Sequence, residues 1–233
     1  MSSRRVNAKW SVLLATTLLL TDAVFAWPPA AKGSQVAKDV LARNFYVVLD
    51  GSGSMKDRSC TSASSKNHDS KLALNAFSQS VPKNANLGLA VFDAQGLREV
   101  LPLGQNNRDA FVRAVNAVGP GGGTPLKAAV QLGQQRLESQ AAQQLGYGEY
   151  TLVLVTDGEA SAGQDPRAAV DVLMRDTPIV LHTIGFCIGS GHSLNQKGRT
   201  IYRAANSEQE LRSGLAEVLA ESPDFGVTRF DRR

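Results

Sequence analysis

Histidine and cysteine are scarce: the 233-residue chain holds three of one and two of the other. Neither a Cys-x-x-Cys pair nor a Cys/His cluster is present, which argues against a metal held by thiolates. Aromatic residues make up 6% of the chain, and no basic run carries interleaved aromatics, so a nucleic-acid partner is not expected. The net charge of +4 overstates the imbalance, because Arg4, Arg5 and Lys9 lie in an N-terminal leader that holds one acid, Asp22. Nucleotide fingerprints are missing as well. Gly51-Ser52-Gly53-Ser54-Met55-Lys56 lacks the third glycine of a dinucleotide loop, and the stretch from Gly119 to Pro125 lacks the P-loop lysine. The uncharged stretch from Trp10 to Thr21 falls short of the roughly 20 residues that span a bilayer.

That stretch has a better use. Arg4, Arg5 and Lys9 ahead of it, and Ala23-Val24-Phe25-Ala26 behind it, form the three regions of a secretory signal peptide. Residues 1–26 are therefore expected to be a signal peptide cleaved after Ala26. The protein is then exported, periplasmic or secreted, with no membrane span after cleavage. Its composition, 42% hydrophobic and 20% charged, is that of an ordinary globular protein. Cys60 and Cys187 would meet an oxidising compartment, where a disulfide or two free thiols remain open.

Past a linker at 27–42, the chain alternates apolar runs with amphipathic stretches. Phe45–Leu49, Leu87–Phe92, Val100–Leu103, Tyr150–Thr156 and Pro178–Ile184 read as strands. Pro102 restricts the third of these to an edge. Helices are expected from Lys71, with Leu72, Ala76 and Phe77 on one face, and around Phe111, Val115 and Val118. Another opens at Thr124-Pro125, where threonine can cap and proline fits the first turn. A fourth starts at Asp165-Pro166 and reaches Arg175. The last follows the capping box Ser207-Glu208-Gln209-Glu210. This alternation implies an α/β fold: a doubly wound, mainly parallel sheet with helices on both faces. One domain is expected over 43–221, followed by a tail at 222–233.

The chain is organised around Phe45-Tyr46-Val47-Val48-Leu49-Asp50-Gly51-Ser52-Gly53-Ser54. Asp50 ends a buried strand, where open α/β sheets place their ligand sites. With Ser52 and Ser54 it offers only oxygen, which suits a hard cation such as Mg²⁺. Asp, Gly and Ser also fill ordinary turns, so this piece alone decides little. Right-handed crossovers, however, bring the loops after Asp50 and Asp157 and the helix start at Thr124 to one sheet edge. Two acids at neighbouring strand ends repel unless a cation lies between them.

Asp50-x-Ser52-x-Ser54, Gly-Gly-Gly-Thr124-Pro-Leu and Thr-Asp157-Gly together resemble the von Willebrand factor type A domain and its metal-ion-dependent adhesion site, as seen in exported bacterial proteins. The resemblance covers about Arg43 to Ala220. It implies that Ser52, Ser54 and Thr124 are direct metal ligands and that Asp50 and Asp157 bind directly or through water. The implied metal is a divalent cation, Mg²⁺ first, with Mn²⁺ or Ca²⁺ as options. The implied function is protein binding without catalysis, the cation accepting an Asp or Glu from a partner. Alternatives are an assembly component of an envelope complex, a metal-assisted hydrolase, or a subunit like the family's chelatase members. The loop from Asp57 to His68 is longer than a minimal family loop and reaches the metal edge, as does Cys187. A Cys60–Cys187 disulfide is expected there. Glu159 reads as a solvated loop acid and His182 as a core residue. Nothing in the sequence puts His68 within reach of Ser52 or Ser54, and His192 carries no signal.

Overall fold

The computed structural model describes residues 27–28 and 35–220. The expected signal peptide at 1–26 and the expected tail at 222–233 lie outside the described residues. Six strands form one sheet in the order β3-β2-β1-β4-β5-β6. They are β1 (Arg43–Asp50), β2 (Asn86–Asp93), β3 (Gly96–Gly104), β4 (Glu149–Thr156), β5 (Val180–Phe186) and β6 (Ile201–Ala205). All neighbours run parallel except β2 and β3, which form an antiparallel hairpin. Helices α1 (Lys66–Ser80), α2 (Arg108–Ala117), α3 (Leu126–Gln143), α4 (Arg167–Asp176) and α5 (Glu208–Ala220) cover the two faces. The expected doubly wound, mainly parallel fold is what the chain adopts.

Both sheet faces are dry, which is why the central strands read as continuous apolar runs rather than alternating ones. In β1, Phe45, Val47 and Leu49 pack with α1, α2 and α5 through Leu74, Phe77, Phe111, Val115, Leu211 and Leu215. Tyr46 and Val48 point the other way, toward α3 and α4, against Leu126, Val130, Leu137, Val170 and Leu173. The sequence leaves β1 in one direction, toward β2 and β3, and later resumes in the other, through β4 and β5. The crevice between the carboxyl ends of β1 and β4 is therefore the topological switch point, where such sheets leave room for a ligand.

Four local expectations need correction. Helix α1 begins at Lys66, five residues earlier than the periodicity indicated, with Ser65 accepting the His68 amide as its cap. Its first turns bury the polar side chains Asn67, Asp69 and Ser70, so no apolar repeat marks them. Leu72 is 40% exposed rather than on the packed face, and Ala73, Leu74 and Phe77 take that role. The edge strand β6 went unrecognised, being half exposed along its length. Thr124 does not cap α3: the cap position falls on Pro125, with no side-chain bond to the helix.

Candidate metal centre

The site is built on the main chain first. Asp50, the last residue of β1, is followed by a loop whose Gly51 amide donates to the Phe92 carbonyl at 2.8 Å. That loop is then laced to the glycine run before α3. The Gly121 amide donates to the Gly51 carbonyl at 2.8 Å, and the Gly53 amide donates to the Gly122 carbonyl at 3.1 Å. Gly122 has φ +79, and a Cβ there would lie 2.5 Å from the Asp93 carbonyl oxygen, so only glycine lets the strand-end and helix-start loops approach this closely. A further tie runs to the loop after β4: the Thr124 amide donates to Ser161 Oγ at 2.9 Å, and the Ser161 amide donates to the Thr124 carbonyl at 3.0 Å.

Within that frame the side chains meet. Asp50 is fully buried. Its Oδ1 accepts the Ser52 amide at 2.7 Å, and its Oδ2 accepts the Thr156 hydroxyl at 2.6 Å. Ser52 Oγ lies 3.2 Å from Ser54 Oγ, and Ser54 in turn donates to Asp157 Oδ1 at 2.7 Å. Asp157 is 3% exposed and its Oδ2 accepts the ammonium of Lys66 at 2.8 Å. Thr124 is buried at the same edge, beside a cavity of about 170 Å³ lined also by Phe92, Asp93, Pro125 and Ser161. Asp50, Ser52, Ser54 and Asp157 thus form one hydrogen-bonded cluster, with Thr124 clamped to the loop that follows Asp157.

Burial pushes the Asp50 carboxyl from its ordinary 3.8 up to about 6. Its bonds from Ser52 and Thr156 pull the other way, and the Asp157 charge adds to the rise. Among the described residues Asp50 makes no ion pair, so its negative charge is met by neutral dipoles alone. A buried anion in that position is stabilised by a cation. The donors are all oxygen, two carboxylates and neutral hydroxyls, and this set fits a small hard divalent ion such as Mg²⁺ or Mn²⁺. No group of three or more His, Cys, Asp or Glu suited to a metal occurs among the described residues, so a centre here depends on serine and threonine ligands.

The raised Asp50 value has a direct consequence. The folded state binds the Asp50 proton more tightly than the unfolded chain, so this group makes stability fall as pH rises from about 4 to about 6. In chelator, the difference in urea stability between the wild type and Asp50→Asn is expected to grow by about 1–3 kcal/mol in the variant's favour from pH 4 to pH 7. Equal pH profiles for the two proteins would contradict this.

Cys60 and Cys187 form a disulfide with Cα atoms 5.8 Å apart, as expected. It fastens the loop after β1 to the residue that follows β5, and the hydroxyl of Thr61 adds a bond to the Asn206 carbonyl at 2.7 Å. His68 is exposed on α1, Glu159 is exposed on its loop, and His182 is buried in β5.

Three neighbours of the site escaped the sequence reading. Thr156 holds Asp50. Lys66 holds Asp157, and a correct start for α1 would have drawn attention to it. His192 is 5% exposed; its Nδ1 accepts the Leu194 amide at 3.1 Å, so its Nε2 carries the proton and donates to the Gly158 carbonyl at 2.9 Å. It props the Asp157 loop from below, stacked against Tyr202.

Comparison with known proteins agrees with the fold. Residues 44–224 match the sequence profile of the von Willebrand factor type A domain. The uncharacterized protein YwmC of Bacillus subtilis (strain 168) is 29% identical over 202 residues, covering 80% of this chain and 84% of the relative. Among solved structures, the pilus adhesin SpaC from Lactobacillus rhamnosus GG superposes with a TM-score of 0.61 at 14% identity, over 82% of this chain and 31% of the adhesin. Manganese-loaded TRAP protein of Plasmodium vivax gives 0.57 at 19% identity, over 76% of this chain and 72% of TRAP. At these identities the two structures establish the shared fold.

Proposed function

The chain belongs to the von Willebrand factor type A domain family, and on that premise we propose that it is an exported, metal-dependent protein-binding module. Ser52, Ser54 and Thr124 would hold a divalent cation through their hydroxyls, with Asp50 and Asp157 binding directly or through water. Mg²⁺ is the foremost candidate, ahead of Mn²⁺ and Ca²⁺. The cation would supply an open, electrophilic position that a partner's Asp or Glu carboxylate can fill. The chain's own contribution is preorganisation. Its loops are fixed to one another through the backbone before any partner arrives, which reduces the ordering cost of binding.

The observation that carries this reading is the Ser52–Ser54–Asp157 chain of contacts beside a buried Asp50 that makes no ion pair among the described residues. Binding is preferred to catalysis because both ring nitrogens of His192 are committed to the backbone and Glu159, the remaining acid near the site, is exposed on its loop, as His68 is on α1. Neither histidine is placed as a base for a metal-assisted hydrolase. The adhesin and the manganese-loaded protein with the same fold are consistent with a metal-dependent interaction role. A role as an assembly component of an envelope complex, with the ion fastening the protein's own loops, is the second reading.

Capture from an envelope extract separates them. Immobilised protein in Mg²⁺ is expected to retain a partner that EDTA releases, and Thr124→Ala is expected to lose most of it. A partner retained equally in EDTA would favour the assembly reading.

A further inference from the structure

Lys66 is unusual in its placement. It is the first residue of α1, where the helix dipole disfavours a cation. Its side chain is 15% exposed, and its ammonium is aimed at a carboxylate whose side chain is fully buried, Asp157. The same carboxylate accepts the Ser54 hydroxyl on its other oxygen, so the lysine sits within the ligand cluster rather than on its rim. Lys71, one turn and a half further along, instead donates to the Asn116 carbonyl away from the site.

We propose that Lys66 is a built-in counter-cation of the metal centre, which lowers its affinity for a divalent ion and makes metal loading depend on an anionic partner. This rests on the metal reading above. The argument is one of formal charge. Two carboxylates and a divalent ion make a neutral centre, which has no electrostatic need of a further anion. With the Lys66 ammonium in place the loaded centre carries an excess positive charge, and a partner carboxylate restores balance. Loading must either keep two cations close together or draw the lysine off a buried acid, and both weaken ion binding. Carboxylate and metal then reinforce each other, as reciprocal linkage requires. In the metal-free protein the lysine offsets part of the charge that the ion would otherwise neutralise.

Thermal melting across a Mg²⁺ titration at constant ionic strength tests this without a known partner. Lys66→Met is expected to melt lower than the wild type in EDTA, yet its Mg²⁺ midpoint, the apparent dissociation constant fitted to the logarithmic rise of melting temperature with free Mg²⁺, is expected to be lower by about tenfold or more. Lys66→Arg, which keeps the charge, is expected to stay near the wild-type midpoint. Should Lys66→Met fail to fold in EDTA, the wild type supplies the second measurement: acetate at constant ionic strength is expected to shift its Mg²⁺ midpoint downward, where chloride does not. A Lys66→Met midpoint equal to or above that of the wild type overturns the proposal and leaves the metal reading intact. An unshifted wild-type midpoint in acetate overturns it as well, and with it the carboxylate-accepting position of the metal reading. Indifference of the wild type to Mg²⁺ at any concentration overturns both.

Discussion

Mg²⁺ added to chelated protein is expected to raise its melting temperature, by about 5–10 °C once the free ion reaches roughly a hundred times its dissociation constant. The estimate follows from mass action, since an ion that binds only the folded state stabilises it by about 2.7 kcal/mol at that saturation. Asp50→Asn is expected to abolish the rise while making the chelated protein more stable at neutral pH. The two effects share one cause. In the absence of a cation, Asp50 is a buried charge answered, among the described residues, by neutral groups of Ser52 and Thr156. An asparagine keeps the Ser52 bond, and the Thr156 hydroxyl can turn to accept from it while donating to the Gly158 carbonyl 3.2 Å away. Asp157→Asn is expected to abolish the Mg²⁺ response too, but to lower chelated stability, because it leaves the Lys66 ammonium without its partner. A melting curve indifferent to Mg²⁺, Mn²⁺ and EDTA would remove the basis for a metal centre. An Asp50→Asn protein less stable than the wild type in EDTA would show that burial is not what governs this carboxylate.

Removing the disulfide is expected to have an effect of similar size by a different route. Cys60 and Cys187 are 127 residues apart in sequence, so the bond closes a long loop in the unfolded chain. Replacing both with serine is expected to cost about 2–4 kcal/mol. That corresponds to a melting temperature lower by about 5–15 °C for a domain of this length. The loss should be the same in Mg²⁺ and in EDTA if the bond acts mainly on the unfolded chain. A loss confined to Mg²⁺ would mean instead that it holds the loop after β1 in the geometry the ion needs. Differential scanning calorimetry of the double serine variant in both buffers distinguishes the outcomes.

The fold was legible wherever burial is two-sided. Phe45 to Leu49 and Tyr150 to Thr156 advertise central strands because both faces are covered, and helix α3 shows five of its six buried positions, Leu126, Ala129, Val130, Gly133 and Leu137, at helical spacing. What stayed hidden is structure held by polar groups. The first turns of α1 bury Asp69, which accepts hydroxyls from Ser59 at 2.5 Å, from Ser62 at 3.1 Å and from Ser64. Hydrogen bonds of that kind leave no hydrophobic period to read. Strand β6 joins the sheet through its ladder to β5 while most of its side chains stay exposed or half-buried, and its sequence is correspondingly uninformative. In the candidate site the same division holds. Asp50, Ser52, Ser54, Thr124 and Asp157 could be picked out because they lie at the ends of legible apolar elements or in loops next to them and because the three segments together resemble the von Willebrand factor type A domain. Lys66 and His192 lie in polar loops or at a misplaced helix start, and only the folded chain brings them to Asp157 and Gly158.

The lacing of Gly51 to Gly121 and of Gly53 to Gly122 assigns geometry and chemistry to different atoms. Peptide groups hold the oxygen cage in shape, while the exposed side chains of Lys56, Arg58 and Ala63 take no part in that support. The disulfide at Cys60 anchors the same segment midway to a separate strand end. New residues can therefore be grafted onto this segment, as on a display scaffold, with the main chain beneath left in register.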